Sequence, residues 1–270
     1  MPKIESQYGL SWKRRTTKKQ LLIWLSWLIG ISIVVFAWQL ISAKTVWFFV
    51  QDAPRQAADI GSRMIPPKWS YASVLIKPVW DTINIASIGT IMALIIAIPV
   101  AFLAARNTTP HRIFRTIALF IIVSSRSVNS LIWALMLVFI LGPGILAGTI
   151  AIGLRSIGFC AKLLYEAIEE IDHSQVEAIE ATGASSSQKI LYGIMPQVLP
   201  TIAGVGVYRW DINIRESTIL GLVGAGGIGL QLNGSINTLA WTQVSVILLV
   251  ILLTVLVSEW VSAKVRYAII

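Results

Sequence analysis

The 270-residue sequence contains a single cysteine and only two histidines, His111 and His173. One thiol excludes an intrachain disulfide framework and a cysteine-rich metal site, and Cys160 itself lies in an apolar run. With so few soft ligands and nucleophiles, neither a metal site nor covalent catalysis is expected of this chain. Charge is scarce as well: Asp, Glu, Lys and Arg make up 13% of residues, 13 of them acidic and 22 basic. No basic patch with interleaved stacking aromatics accompanies the net charge of +9, so no nucleic-acid partner is expected. The positive excess fits instead the bias of Lys and Arg toward the cytoplasmic segments of membrane proteins. A phosphate-binding G-x-x-x-x-G-K-[ST] loop is also missing, so the chain by itself is not expected to hydrolyse ATP.

Apolar sequence is what abounds. Hydrophobic residues reach 56%, mean hydropathy is +0.74 and there are eleven tryptophans, well outside the range of a soluble domain. A hydrocarbon core about 30 Å thick takes about 20 helical residues, which leaves room for roughly five to seven spans. The composition therefore predicts an all-α polytopic membrane protein.

Along the chain, the basic tail of residues 1–20 precedes a charge-free stretch at 21–42, too long for the core of a signal peptide and read as a retained first transmembrane helix over 21–43. Residues 44–77 read as an external loop. Arg55, Asp59 and Arg63 stand at helical spacing there, predicting a surface helix that the prolines of MIPPKW (64–69) stop. A five-helix core follows over 78–264. Its spans are expected near 79–104, 116–140, 145–168, 197–223 and 241–263, with Pro99 and the small residues Ala86, Ser87, Gly89 and Ala93 suggesting a kink and close helix packing in the first of them. That makes about six transmembrane helices with both termini cytoplasmic, and a polar cytoplasmic loop at 170–196.

The loop has a readable design. A helix carrying Glu177, Ala178 and Ala181 should end at Gly183, where a left-handed turn is unstrained. After Ala184, Ser185 and Gln188 form an S-x-x-Q capping box that starts a second helix, and Pro196 is expected to close the segment before the next span. This helix-turn-helix elbow is shaped to touch another protein, although a solvated loop would read the same way on physics alone.

The pattern E-A-x-x-x-x-G followed by an apolar patch and a proline resembles the EAA loop of ABC importer permeases, matched here by Glu177, Ala178, Gly183 and Pro196. Ile179 stands where a second alanine is usual, and Gly193 where an aliphatic residue is. RMIPPKW, SRSVNSLIWALMLVF and YRWDINIRESTILGLVGAGGIG further resemble the permeases that import phosphonates, phosphite and related reduced phosphorus oxyanions. The resemblance runs over about residues 45–264; Asn129 departs from it. It implies a type I ABC importer permease fold in a bacterial cytoplasmic membrane. It also implies docking of an ABC ATPase dimer through Glu177, Ala178, Ala181, Gly183, Ala184, Ser185 and Pro196, with ATP and Mg2+ on those subunits and no cofactor in this chain. An extracytoplasmic binding protein, a second permease copy or related chain, and membrane lipid complete the implied partners.

A charge at the bilayer centre costs at least about 2.5 kcal/mol, so intramembrane ionisable groups are paired or face water. Arg126, Arg155, Arg209 and Arg215 are expected between mid-membrane and the outer half. At about 100° per residue, Arg209, Asn213 and Glu216 share one face of the fifth span, and Asp211 and Arg215 the opposite one. Arg126 and Arg155 have no acid within helical reach in their own spans. Either they pair across helices with Asp211 and Glu216, or they help form a positive pathway for an oxyanion, which guanidinium forks bind bidentately. Four arginines against two acids leave an excess favouring the pathway, with Asn129 and Asn213 as further candidates.

GLVGAGGIG (221–229) has no strand before it, so a nucleotide fingerprint is not expected. Gly221, Gly224, Gly226, Gly227 and Gly229 read as a chain reversal or a close-packed outer gate.

Two competing classes remain. An ion-coupled secondary transporter would carry an inverted repeat and broken helices at the midplane. A membrane enzyme acting on lipid phosphates would need a base beside the arginines, and only Asp81, Asp211, Glu216 and Glu259 are available.

Overall fold

A computed structural model of the chain describes residues 3–6, 9–12 and 16–269. It falls into two units, Met1–Gly61 and Ser62–Ile270. The first holds an antiparallel hairpin, β1 (Lys3–Ser6) and β2 (Gly9–Trp12), then α1 (Thr17–Lys44) and the start of α2 (Trp47–Arg63). The 28 residues of α1 extend about 42 Å at 1.5 Å per residue, more than a bilayer needs. None of them is buried and apolar side chains point all round, which suits lipid rather than a one-sided core. Arg55, Asp59 and Arg63 all fall in α2, as their spacing predicts, and the helix stops at Arg63 before Pro66 and Pro67.

In the second unit α3 (Ala72–Ala104) lies against α6 (Ile145–Glu169) along much of its length. Their contact is built from small residues: Ala86, Ala93, Ala97, Ala101 and Ala104 of α3 are fully buried. A β-carbon at Gly89 would come within 3.0 Å of Ile152 and 3.1 Å of the Thr149 carbonyl oxygen, so a larger residue there would require its neighbours to give by a few tenths of an ångström. Lipid tails are as apolar as leucine. The packing therefore rests on close contact and on polar ties between helices, such as Trp210 Nε1 donating to Ser87 Oγ at 2.9 Å.

The expected span at 116–140 is not one helix. It is broken into α4 (Arg112–Ser127) and α5 (Ser130–Leu141), bent by 86°. At 16 and 12 residues these are about 24 and 18 Å long, so neither crosses the hydrocarbon alone. The cause is local: Val128 and Asn129 are extended, and the Asn129 side chain accepts the Leu131 amide proton as the N-cap of a new helix. Among the described residues five helices are thus long and apolar enough to span a membrane, or six if the bent pair counts as one span.

A second boundary also differs from expectation. Pro196 does not separate the elbow from the fifth span. α7 (His173–Ala181) is followed by α8 (Ser186–Gln188), a π-helical stretch over Lys189–Ile194 and α9 (Met195–Leu220) in one continuous run. Pro196 is the second residue of α9 and stands at the junction with the π-helical stretch, where the hydrogen-bond pattern changes. Beyond α9, α10 (Ile228–Asn237) is a short helix that composition did not predict, and α11 (Trp241–Ile269) closes the fold.

Candidate functional site

The α9 periodicity sorts its charges as expected. Two turns bring Arg209 and Glu216 together, with Arg209 Nη2 3.3 Å from Glu216 Oε1. From α6, Arg155 Nη1 donates to the same carboxylate oxygen at 2.9 Å and to Ser130 Oγ at 3.3 Å. One carboxylate therefore answers two guanidiniums, and the trio carries a net charge of +1. Arg209 is nearly sealed, with 3% of its side chain exposed. Its Nε donates to Ser156 Oγ at 2.9 Å, and its guanidinium lies over the Phe159 ring at 5.0 Å. Arg155 keeps 33% of its side chain exposed and Glu216 15%.

Asn213, expected on the pathway, is instead fully buried. Its Nδ2 donates to Thr90 Oγ1 at 2.7 Å and its Oδ1 accepts from Ser156 Oγ at 3.2 Å, so it ties α9 to both α3 and α6. Such a fully paired buried amide specifies packing, because leaving either end unpaired would be costly. The opposite face of α9 holds Asp211, which pairs with Arg215 one turn on and accepts from Ser258 Oγ of α11 at 2.8 Å. Arg215 is about half exposed.

Arg126 and Asn129 flank the α4–α5 break and are exposed, and among the described residues Arg126 has no ion pair. The break is fastened against α6 beside Arg155. Ser125 Oγ donates to the Leu154 carbonyl oxygen and accepts from the Gly158 amide at 2.9 Å. Ser130, Ser156, Thr90 and Ser258 were not among the expected site residues. Ser130 and Ser156 each directly follow a residue that was, Asn129 and Arg155, and that adjacency was the available signal.

At the other site, Gly183 adopts φ +82°, and Ser185 and Gln188 form both bonds of the capping box. Asp172 caps α7; the Ser174 hydroxyl and amide donate to it at 2.7 and 2.9 Å and hold its carboxyl below the usual aspartate range. Gln197 of α9 ties the elbow down by accepting from the Asp172 amide at 2.9 Å and donating to the Gly193 carbonyl at 2.7 Å. Lys189 and Glu180 form a 2.8 Å ion pair between the two arms. Glu177, Ala178, Ala181, Gly183, Ser185 and Pro196 are exposed and Ala184 is half-buried, while Leu191 and Tyr192 stand out by 55% and 62%. Gly193 is buried against α7, where a β-carbon would rest 3.4 Å from Val176 and 3.8 Å from Ile179, in ordinary contact.

Gly221, Gly226, Gly227 and Gly229 are buried in a chain reversal, with Gly224 half-buried. Gly224, Gly226 and Gly227 have φ of +88°, +85° and +74°, and a β-carbon at Gly221 would lie 2.6 Å from Gly229 Cα. Thr82 Oγ1 accepts the Ile228 amide at 2.9 Å, fixing the start of α10 to α3.

A family model described as binding-protein-dependent transport system inner membrane component matches residues 97–266. The phosphite transport system permease protein PtxC of Stutzerimonas stutzeri is 37% identical over 259 residues, 96% of this chain and 91% of its own. The phosphate-import permease protein PhnE of Mycolicibacterium smegmatis is 36% identical over 86% of this chain and 43% of its own. In fold, an inward-facing MetNI methionine ABC transporter chain superposes with a TM-score of 0.63 at 20% identity, covering 73% of this chain and 96% of that one. The family match, the elbow and the helical core agree: the chain belongs to the binding-protein-dependent transport system inner membrane components, as a permease of the ABC type.

Proposed function

We propose that the chain is the membrane-spanning subunit of an ATP-driven importer for a phosphorus oxyanion: phosphite, a phosphonate or phosphate. The observation that carries this reading is the trio of Arg155, Arg209 and Glu216, two guanidiniums sharing one carboxylate at 2.9 and 3.3 Å inside the helical core. A net positive intramembrane site suits an anion, and guanidinium suits tetrahedral oxyanions in particular. The activities named for the two relatives, phosphite transport and phosphate import, support the same class.

In this reading an ABC ATPase dimer, carrying ATP and Mg2+, docks on the exposed elbow at Glu177–Ser185 together with Leu191 and Tyr192. A second permease copy or related chain completes the pathway, and an extracytoplasmic binding protein delivers substrate. Both termini are assigned to the cytoplasm because the N-terminal tail, the 105–115 turn and the C-terminal Lys264 and Arg266 carry positive charge. Arg126, Asn129 and Arg215 line the approach, and the glycine reversal at 221–229 forms the outer gate. A conduit must release what it admits, so affinity at the site is low and selection rests mostly with the binding protein.

Reconstitution with the partner ATPase and binding protein tests the reading. ATP hydrolysis is expected to rise with phosphite, phosphonates or phosphate and not with sulfate. No stimulation by any phosphorus oxyanion removes the substrate assignment.

A further inference from the structure

Four arginines are candidates for the oxyanion, and their hydrogen bonds separate them. A guanidinium has five N–H donors, and the Nε–Nη2 edge presents two of them in parallel, the geometry of a bidentate oxyanion contact. Arg209 has spent that edge: Nε is bound to Ser156 and Nη2 to Glu216, Phe159 covers its face, and 3% of the side chain is exposed. Arg215 is neutralised by Asp211. Arg126 is exposed, and among the described residues no ion pair or side-chain hydrogen bond holds its guanidinium in place. Arg155 differs from all three. Both of its described bonds leave from Nη1, to Glu216 and to Ser130. Its Nε–Nη2 edge has no protein acceptor among the described residues, and a third of the side chain is open.

We propose that Arg155, beside Ser130 at the α4–α5 break, is the arginine that binds the transported oxyanion, and that Glu216 is a built-in anion competing with it. The inference rests on the oxyanion reading above and assigns roles within that site. Arg209, Ser156 and Asn213 are positioning residues that hold the Glu216 carboxylate against Arg155 Nη1. Substrate takes the free edge and draws the guanidinium away from Glu216. Departure of substrate lets the carboxylate return. An internal competitor keeps the site weak without removing its positive charge, which a conduit requires.

The test uses the complete transporter with its ATPase and binding protein. Arg155→Ala is expected to reduce phosphite or methylphosphonate uptake by about tenfold or more, the loss of a charge-assisted contact, with co-purification of the ATPase unchanged. Arg155→Lys keeps the charge but lacks the fork, and is expected to remain impaired. Glu216→Gln removes the competitor. In the absence of binding protein, phosphite should raise the thermal midpoint of that variant at concentrations about tenfold below those needed by the wild type. Adding Arg155→Ala should abolish the gain.

Uptake by Arg155→Lys at the wild-type level overturns the proposal, even if Arg155→Ala fails to assemble. So does a phosphite-dependent shift in Glu216→Gln that survives loss of Arg155. If wild-type and Arg155→Ala transporters import the oxyanion equally, this assignment fails while the transport reading stands. If the wild type imports none, both fall.

Discussion

Removing Glu216 should damage the permease more than removing Arg209, although Arg209 is the more deeply buried of the two. The reasoning is a count of charges. Arg209→Ala leaves Glu216 paired with Arg155 at 2.9 Å, a neutral couple, together with a Ser156 hydroxyl short of one partner and a gap over Phe159. Glu216→Ala leaves two guanidiniums facing one void with no anion between them. Breaking a buried pair costs about 3–5 kcal/mol. Arg209→Ala belongs near the lower figure because a partner remains, and Glu216→Ala near the upper. A difference of about 2 kcal/mol corresponds to roughly 4–8 °C in thermal midpoint for a domain of this size. The double variant leaves Arg155 alone, a third exposed and able to reach water, so its cost should fall short of the sum of the single changes by about 1–3 kcal/mol. The assay is thermal unfolding of the detergent-solubilised complex, with the yield of assembled transporter alongside. Equal damage from the single variants, or additivity in the double, would refute the shared-carboxylate reasoning.

Three further outcomes follow from other parts of the structure. Gly183→Asp places a side chain at φ +82° on an exposed turn; it should lower ATPase co-purification while the thermal midpoint of the membrane part changes by less than about 4 °C. Gly229→Ala puts a β-carbon into the Thr218 carbonyl oxygen and against Gly221, so it should reduce yield or block transport, whereas Gly234→Ala, which meets nothing within 4 Å, should be tolerated in both measurements. The Asp172 cap gives a pH dependence of known sign. Its folded pKa lies below the ordinary 3.8, so its contribution is present above that value and is lost as pH falls through the lower one. Hydrogen exchange at the Ser174 amide should quicken on that descent in the wild type relative to Asp172→Asn.

How far the sequence led depended on whether the relevant physics was local. The helical character of the core, the α2 helix, the turn at Gly183 and the Ser185–Gln188 box were legible because each depends on residues within one or two turns. Sorting the α9 charges into two faces was legible for the same reason. The partner of Arg155 was not, since Glu216 is 61 positions away and only packing of α6 on α9 chooses it over Asp211. The break within 116–140 was not read because hydropathy averages over Ser127–Ser130, where a cap signal was present: an asparagine whose side chain could take up the Leu131 amide. The burial of Asn213 between α3 and α6 was not legible, because helical periodicity says which residues share a face but not which neighbour covers it.

Uptake of labelled phosphite into proteoliposomes holding the complete transporter is the decisive measurement. ATP-dependent accumulation, competed by methylphosphonate and phosphate but not by sulfate, and reduced about tenfold by Arg155→Ala in a fully assembled complex, is the expected result. Accumulation of no phosphorus oxyanion, or uptake indifferent to Arg155, Arg209 and Glu216 alike, would contradict an anion pathway through this site.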